Sequence, residues 1–359
     1  MKNNNYCIIM SGGIGNRFWP YSNEKMPKQF LDFFGTGRSL LQTTFDRFNK
    51  IIPPENIFVV THDGYAEITK EQLPELSDDQ ILLEPIRRNT APCIAYATYR
   101  IQTINPEANI IVAPSDHLIL KSDQFIEDIE KGLEFVTKHD VLLTLGVKPT
   151  RPETAYGYIQ VCKDKVDGVH KVKTFTEKPN KELAEAFVKS GEFVWNSGIF
   201  IWSLKSIMKA FRMHLPDISN TFNEGAHLFN TAKEKEFINT SFPFCPNISI
   251  DYGILEKADN VFVIISTFGW SDLDSWTSLQ EASPRDENDN VHLRGEVIYI
   301  ESSNNVVATN TKKLVLVQGL DDYIIAESDK ILLICKKEDE HRIKHFMNDV
   351  RFKLGEDFC

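Results

Sequence analysis

The chain predicts a doubly wound α/β sheet followed by a small β-rich module, and three observations predict it. Short apolar runs without helical periodicity alternate with amphipathic stretches through the first 150 residues. Those runs repeatedly end in polar loops rich in Gly, Pro, Asn or Asp, the position at which open α/β sheets receive ligands. Beyond residue 290, five short β runs follow at roughly even spacing and close on a charged helix.

Taken in order, Tyr6 to Met10 is an apolar run closed abruptly by Ser11, Gly12, Gly13 and Gly15, a buried strand entering a tight loop. Ser39 precedes an amphipathic helix with Leu41, Phe45, Phe48 and Ile52 on one stripe. A strand over 56–61, a short helix over 64–73 and a strand over 80–83 lead to the polar stretch Glu84-Pro85-Ile86-Arg87-Arg88-Asn89-Thr90. Thr90 is expected to cap the next helix, whose inner face is Ile94, Thr98, Ile101 and Ile104. The strand over 109–113 delivers Ser115-Asp116-His117, and a helix over 123–138 buries Phe125, Ile129, Leu133 and Val136 before a strand over 141–147. From residue 150 the alternation loosens. Strands are expected over 157–161 and 169–176, then a helix opened by Asn180, the apolar run 194–202, helices to about 238, a helix opened by Ser249-Ile250-Asp251 and a strand over 261–265. The polar stretch Pro284 to Asn290 reads as a linker between a first domain, 1–285, and an accessory domain, 291–359. The β runs 296–301, 305–309, 313–317, 322–327 and 330–335 suggest a β-solenoid, with a closing helix over 338–353.

With 359 residues, 42% of them hydrophobic, the chain can bury a full core. A net charge of −11 argues against a nucleic-acid partner, which wants a basic face, and makes each cation in a loop informative. Cys7, Cys93, Cys162, Cys245, Cys335 and Cys359 lie far apart with no Cys-x-x-Cys pair, the pattern of reduced thiols. The chain runs directly into its first strand and no apolar run approaches 18 residues, so a cytoplasmic protein without a membrane partner is expected.

The loop after the first strand has the chemistry of a phosphate cradle. Glycines let successive N–H groups point into one concavity, and Arg17 and Lys28 add positive charge. It is not a Walker A loop, since no Gly-Lys pair follows, and Phe18 stands where a dinucleotide fingerprint needs its third glycine. Asp116, a carboxylate at a strand's end beside such a cradle, is the best candidate to hold Mg²⁺. His117 is read as packing or hydrogen-bonding.

Gly-Gly-x-Gly-x-Arg at 12–17 followed by Pro-Lys-Gln-Phe at 27–30 resembles the signature of sugar-nucleotide pyrophosphorylases, specifically mannose-1-phosphate guanylyltransferases, and the resemblance extends over about residues 6–285. It implies a Rossmann-like nucleotidyltransferase domain with a mixed sheet, a left-handed β-helix-like C-terminal domain, and the reaction of GTP with mannose 1-phosphate to give GDP-mannose and pyrophosphate. It implies catalytic roles for Arg17, Lys28, Asp116 and Asp272, with the two aspartates as metal ligands. Nucleotide contacts would come from Gly12, Gly13, Gly15, Arg17, Lys28, Glu84, Asn89 and Thr90, and sugar-phosphate contacts from Gly157, Glu177, Lys178 and Asn196. Two departures stand out: Ala155 replaces a glycine in the sugar loop, and Asp274 replaces a glycine after Ser271-Asp272. Other readings are a sister enzyme using glucose 1-phosphate with UTP or dTTP, a silent regulatory subunit that binds GDP-mannose, and a dinucleotide dehydrogenase, which the loop already weakens. The roughly 70 residues after the linker look too short for a fused isomerase cupin. A homodimer is compatible with all of this.

Overall fold

The computed structural model of the chain describes residues 4–309, 313–328 and 330–358. Cys359 and the first three residues, on which two of the expectations touched, lie outside them. The chain forms two compact units, each assembled from three stretches: Met1–Gly12, Thr44–Ser115 and Ile119–Trp270 in the first, and Gly13–Thr43, Asp116–Leu118 and Ser271–Cys359 in the second.

The first unit is built on a nine-stranded sheet. Its strands are β1 (Asn5–Met10), β2 (Ile57–His62), β3 (Ile81–Glu84), β4 (Asn109–Pro114), β5 (Leu142–Val147), β6 (Tyr158–Val166), β7 (Val169–Thr176), β8 (Phe193–Ser203) and β9 (Val261–Ser266). The spatial order is β3-β2-β1-β4-β8-β5-β9-β7-β6. β3, β2, β1 and β4 run parallel, as continuous apolar runs require when helices cover both faces. β8 then enters antiparallel between β4 and β5, β9 returns parallel to β5, and the β6–β7 hairpin closes the far edge antiparallel. The simple alternation expected of the sequence therefore holds through β4, and the long apolar run 193–203 is what converts the sheet to a mixed one.

The helix Ser122–Lys138 buries Phe125, Ile129, Leu133 and Val136 on its expected stripe. The helix Thr90–Ile104 is buried from Ala91 to Ile101, but Ile104, expected on its inner face, is exposed at the last turn. The cap of this helix is Asn89, whose Oδ1 accepts from the Thr90 N–H, and not Thr90. The helix expected after Ser249 is a single wide turn, Asp251–Leu255.

In the second unit, short strands Val291–Leu293, Val306–Ala308 and Tyr323–Glu327 stack in parallel, as do Glu296–Ile300 and Leu314–Gln318, while Leu332–Lys336 closes antiparallel. This is a β-helix-like stack. Buried Asn290 and Asn305 form a ladder inside it: Asn290 Oδ1 accepts from the Asn305 backbone and side chain, and Asn305 Oδ1 accepts from Tyr323 N. The closing helix is a 3-10 segment, Lys337–Arg342, continuing as an α-helix over Ile343–Leu354. Residues 291–350 do not form a free-standing accessory. Val291, Leu293, Val306, Ile324, Ile343 and Met347 share one core with Phe18, Trp19, Tyr21, Phe33, Leu273 and Trp276. A stack of so few short turns buries little by itself, and it covers its apolar face with aromatic side chains from the segment after the glycine loop.

Candidate functional site

Within the second unit, Gly15 is left-handed at φ +61, and a Cβ there would lie 2.6 Å from the Lys28 backbone nitrogen, so only glycine fits. The loop is held by its own neighbours: Gln29 Nε2 donates to Gly13 O at 2.8 Å, and Ser22 Oγ donates to Gly15 O. The chain then delivers Lys28 to a carboxylate cluster. Its ammonium lies 3.1 Å from Asp116 Oδ2 and 3.5 Å from Asp272 Oδ1, and it donates to the carbonyls of Asp272 and Leu273 at 2.9 and 3.1 Å. Leu273, which contributes one of those carbonyls, is a buried side chain on left-handed backbone, φ +47. Two residues 156 positions apart, Asp116 and Asp272, are thus on one ammonium.

His117 Nε2 lies 3.2 Å from Asp272 Oδ1, the hydrogen-bonding role expected of it. Burial works to raise the Asp272 pKa, yet Lys28, His117 and Arg17 together hold that carboxyl well below the usual carboxylate range. Burial works to lower Lys28, and Asp116 and Asp272 override it, so the ammonium stays charged. Ligand atoms of Asp116, His117 and Asp272 lie within 4.8 Å of one another. Two carboxylates around a point already occupied by a cationic nitrogen fit a hard divalent ion, which takes oxygen ligands and has no need of the imidazole. Arg17 is mostly exposed and reaches Asp274: its Nη1 donates to Asp274 Oδ2 at 2.8 Å and to Asp274 O at 3.2 Å. The carboxylate that replaces the expected glycine at 274 therefore engages Arg17.

Within the first unit, two groups gather around strand ends. Glu84 closes β3, is buried, and has an Oε1 with no hydrogen-bond partner among the described residues. Its Oε2 stands 3.1 Å from where a Cβ on Gly12 would be. Burial pushes its carboxyl up to about 8, against the opposing pull of Cys93 and Arg87. Arg87 Nε donates to Gly12 O at 2.9 Å and its Nη2 to Tyr65 Oη at 3.0 Å, so this guanidinium braces the loop. Asn89 spends its side chain on the cap, and Thr90 Oγ1 accepts from Ile250 N at 2.9 Å.

The second group is Gly157, Glu177, Lys178 and Asn196. Asn196 N donates to Gly157 O at 2.8 Å, and Lys178 Nζ pairs with Glu177 Oε1 at 2.9 Å. A Cβ on Gly157 would lie 2.3 Å from Glu177 Oε2, so the carboxylate is seated against bare backbone and a larger residue there would displace it. Sequence reasoning missed one member. Asp251 Oδ1 accepts from Asn196 Nδ2 at 3.0 Å, and burial together with the neighbouring Glu177 carboxylate pushes its carboxyl up to about 7. Nothing local marks it, because a Ser-x-Asp before an apolar turn reads as an ordinary helix start.

A mixed α/β sheet whose first strand ends in a glycine loop, with a lysine set between two aspartates, belongs to the enzymes that transfer nucleotidyl groups. A family model for nucleotidyl transferases matches residues 6–289, and the chain belongs to that family. Residues 295–349 match a second model, the mannose-phosphate isomerase/GMP-like β-helix domain. The chain is 34% identical over 351 residues to a mannose-1-phosphate guanylyltransferase of Escherichia coli, covering 95% of this chain and 74% of that one. It is likewise 34% identical over 345 residues to a mannose-1-phosphate guanylyltransferase of Klebsiella pneumoniae, covering 94% and 72%. Among solved structures it is similar to a mannose-1-phosphate geranyltransferase from Thermus thermophilus, with a TM-score of 0.88 and 28% identity, covering 97% of this chain and 100% of that one.

Proposed function

We propose that the chain transfers GMP from GTP to α-D-mannose 1-phosphate, releasing GDP-mannose and pyrophosphate. The observation that carries this is the seating of Lys28 on both Asp116 and Asp272 in a chain whose similar relatives bear that activity in their names. A phosphate oxygen of the sugar ester attacks the α-phosphorus of GTP in line. The new P–O bond forms as the bond to the β-phosphate oxygen breaks, and pyrophosphate leaves with that electron pair. No side-chain nucleophile is needed. The protein's task is to bring two polyanions together and to offset the charge that develops.

Lys28 supplies a point charge for the α-phosphate, and Arg17 a two-pronged donor for triphosphate oxygens once Asp274 releases it. Gly12, Gly13 and Gly15 provide backbone donors. Asp116 and Asp272 are the residues that would hold Mg²⁺, which when bound neutralises charge on the phosphates. Glu84, whose Oε1 has no partner among the described residues and whose Oε2 stands beside Gly12, supports contact with the N–H donors of guanine. Glu177 accepts from sugar hydroxyls and Lys178 meets the ester phosphate. The described cysteines are free, which supports a reducing, cytoplasmic setting for the reaction. No helix among the described residues is long and apolar enough to cross a membrane.

The test is to incubate the protein with Mg²⁺, mannose 1-phosphate or glucose 1-phosphate, and each of four nucleoside triphosphates, to measure pyrophosphate, and to measure GDP-mannose binding alongside. Release with GTP is the expected result. Release only with UTP or dTTP and glucose 1-phosphate would replace the substrates, and binding of GDP-mannose without any turnover would replace catalysis by sensing.

A further inference from the structure

We propose that Asp251 is a positioning residue of the sugar-phosphate subsite, acting through Asn196, whose amide it holds with one N–H directed to the ligand. This rests on the function proposed above only in assigning that subsite to a sugar ester. The argument begins with the amide. Gly198 N, which can only donate, lies 3.2 Å from Asn196 Oδ1, so the amide oxygen must face it. Thr144 Oγ1 stands 3.2 Å from the same oxygen and 3.1 Å from Ile199 O, so its one hydrogen serves only one of them, and it is Gly198 N that fixes the amide's orientation. On the other side, Asn196 Nδ2 donates to Asp251 Oδ1 at 3.0 Å. One N–H is left. With the amide held in this sense, the remaining N–H suits a lone pair on a phosphate-ester or hydroxyl oxygen.

The acceptor that completes this arrangement is firmly mounted. Immediately before Asp251, Ile250 N donates to Thr90 Oγ1 at 2.9 Å and Ile248 O accepts from Ala91 N at 3.1 Å, which fastens the segment to the start of the helix Thr90–Ile104. Asp251 is half-buried and faces Glu177 and Lys178, the two charged groups of the subsite, with Tyr252 beside Lys178. A carboxylate held near another carboxylate is an unfavourable placement, and the Asn196 hydrogen bond and Lys178 are what offset it. Removing Asp251 leaves the Asn196 N–H₂ group without its anchor on one side while leaving Glu177 and Lys178 in place.

A double-mutant cycle tests this. Asp251→Ala, Asn196→Ala and the double variant are compared by KM for the sugar 1-phosphate, KM for the nucleotide and kcat, with melting temperature as a check on folding. Asp251→Ala is expected to raise KM for the sugar ester about tenfold, with KM for GTP and kcat within about threefold of the parent. The double variant should be no worse than Asn196→Ala, because a residue acting through another adds nothing once that other is gone. Asp251→Asn, which keeps an oxygen able to accept from Asn196, should recover most of the loss. Should Asp251→Ala fail to fold, Asp251→Ser, too short to reach Asn196, takes its place in the cycle. An unchanged sugar KM, equal increases in both KM values, multiplying losses in the double variant, or no recovery with Asn would each overturn the proposal. A wild-type protein that uses a different sugar 1-phosphate overturns the substrate assigned above, and the same cycle is then read with that ester.

Discussion

Lys28 is the residue through which the candidate metal site must be read. In the folded protein its ammonium neutralises Asp116 and Asp272, so an incoming divalent ion meets two carboxylates already satisfied by a cation. Lys28→Ala should therefore lower kcat while tightening Mg²⁺ binding, measured by calorimetry without substrates; weaker Mg²⁺ binding would show that the lysine and the ion do not share these carboxylates. Asp116→Asn and Asp272→Asn should each lower kcat about a hundredfold, roughly 2.7 kcal/mol, and the double variant should cost much less than the sum. Losses that simply add would sink the shared-ion reading. Arg17 gives a smaller effect of opposite sign. Its bond to Asp274 is solvent-exposed and worth about 0–1 kcal/mol, so Asp274→Gly should lower KM for GTP by no more than about fivefold. A higher KM in that variant would mean that Asp274 itself helps to bind the nucleotide.

At the scale of elements, the short helix Trp276–Glu281 follows directly on the Asp272–Asp274 turn, and the C-terminal 3-10 segment grips it at both ends. Glu340 accepts from Thr277 N at 3.1 Å and Thr277 Oγ1 at 2.9 Å, while buried Lys337 donates to Gln280 Oε1 at 2.7 Å. Glu340→Ala removes a cap, worth about 1 kcal/mol, and should lower both the melting temperature and kcat. A fall in melting temperature with kcat unchanged would show that the grip does not reach Asp272. The same packing sets what truncation should do. Ending the chain after Asp289 removes Val291, Leu293, Val306, Ile324, Ile343 and Met347 from the core that Phe18, Trp19 and Tyr21 enter, so the truncated protein should lose activity together with order in residues 13–43, read as new proteolytic cuts there.

For the whole molecule, two carboxyls held above their ordinary range set the response to base. Glu84, near 8, and Asp251, near 7, bind protons in the fold that the unfolded chain has already released. The folded state binds more protons across that window, so these two groups make stability fall as pH rises from about 4.5 to 8. Asp272 has the reverse sign. Its lowered pKa contributes stability that is present above the unfolded value and lost only in strong acid. Glu84→Gln removes the first effect: its melting temperature should exceed that of the parent at pH 8.5 and match it more closely at pH 5. A gap that does not grow with pH would mean that the Glu84 carboxyl is not held neutral by the fold.

Local chemistry alone was enough for the parallel half of the sheet and the glycine loop, whereas Asp272, Glu177, Lys178 and Asn196 were singled out through the resemblance to a family. Apolar runs such as Tyr6–Met10 and stripes such as Phe125, Ile129, Leu133 and Val136 carry their partners' geometry in their own spacing, and a loop needing φ > 0 at Gly15 announces itself as glycine. Three things were decided only by tertiary structure. Phe193–Ser203 inserts antiparallel beside β4 because a run buried on both faces has no local signal for direction. The segment after the glycine loop shares its core with the C-terminal stack, a pairing of apolar surfaces more than 250 residues apart that no window of sequence contains. Asp251 reaches Asn196 because its segment is fastened to the Thr90 helix, Ile250 N donating to Thr90 Oγ1 and Ala91 N to Ile248 O, and a carboxylate's role depends on which donor that mounting sets against it.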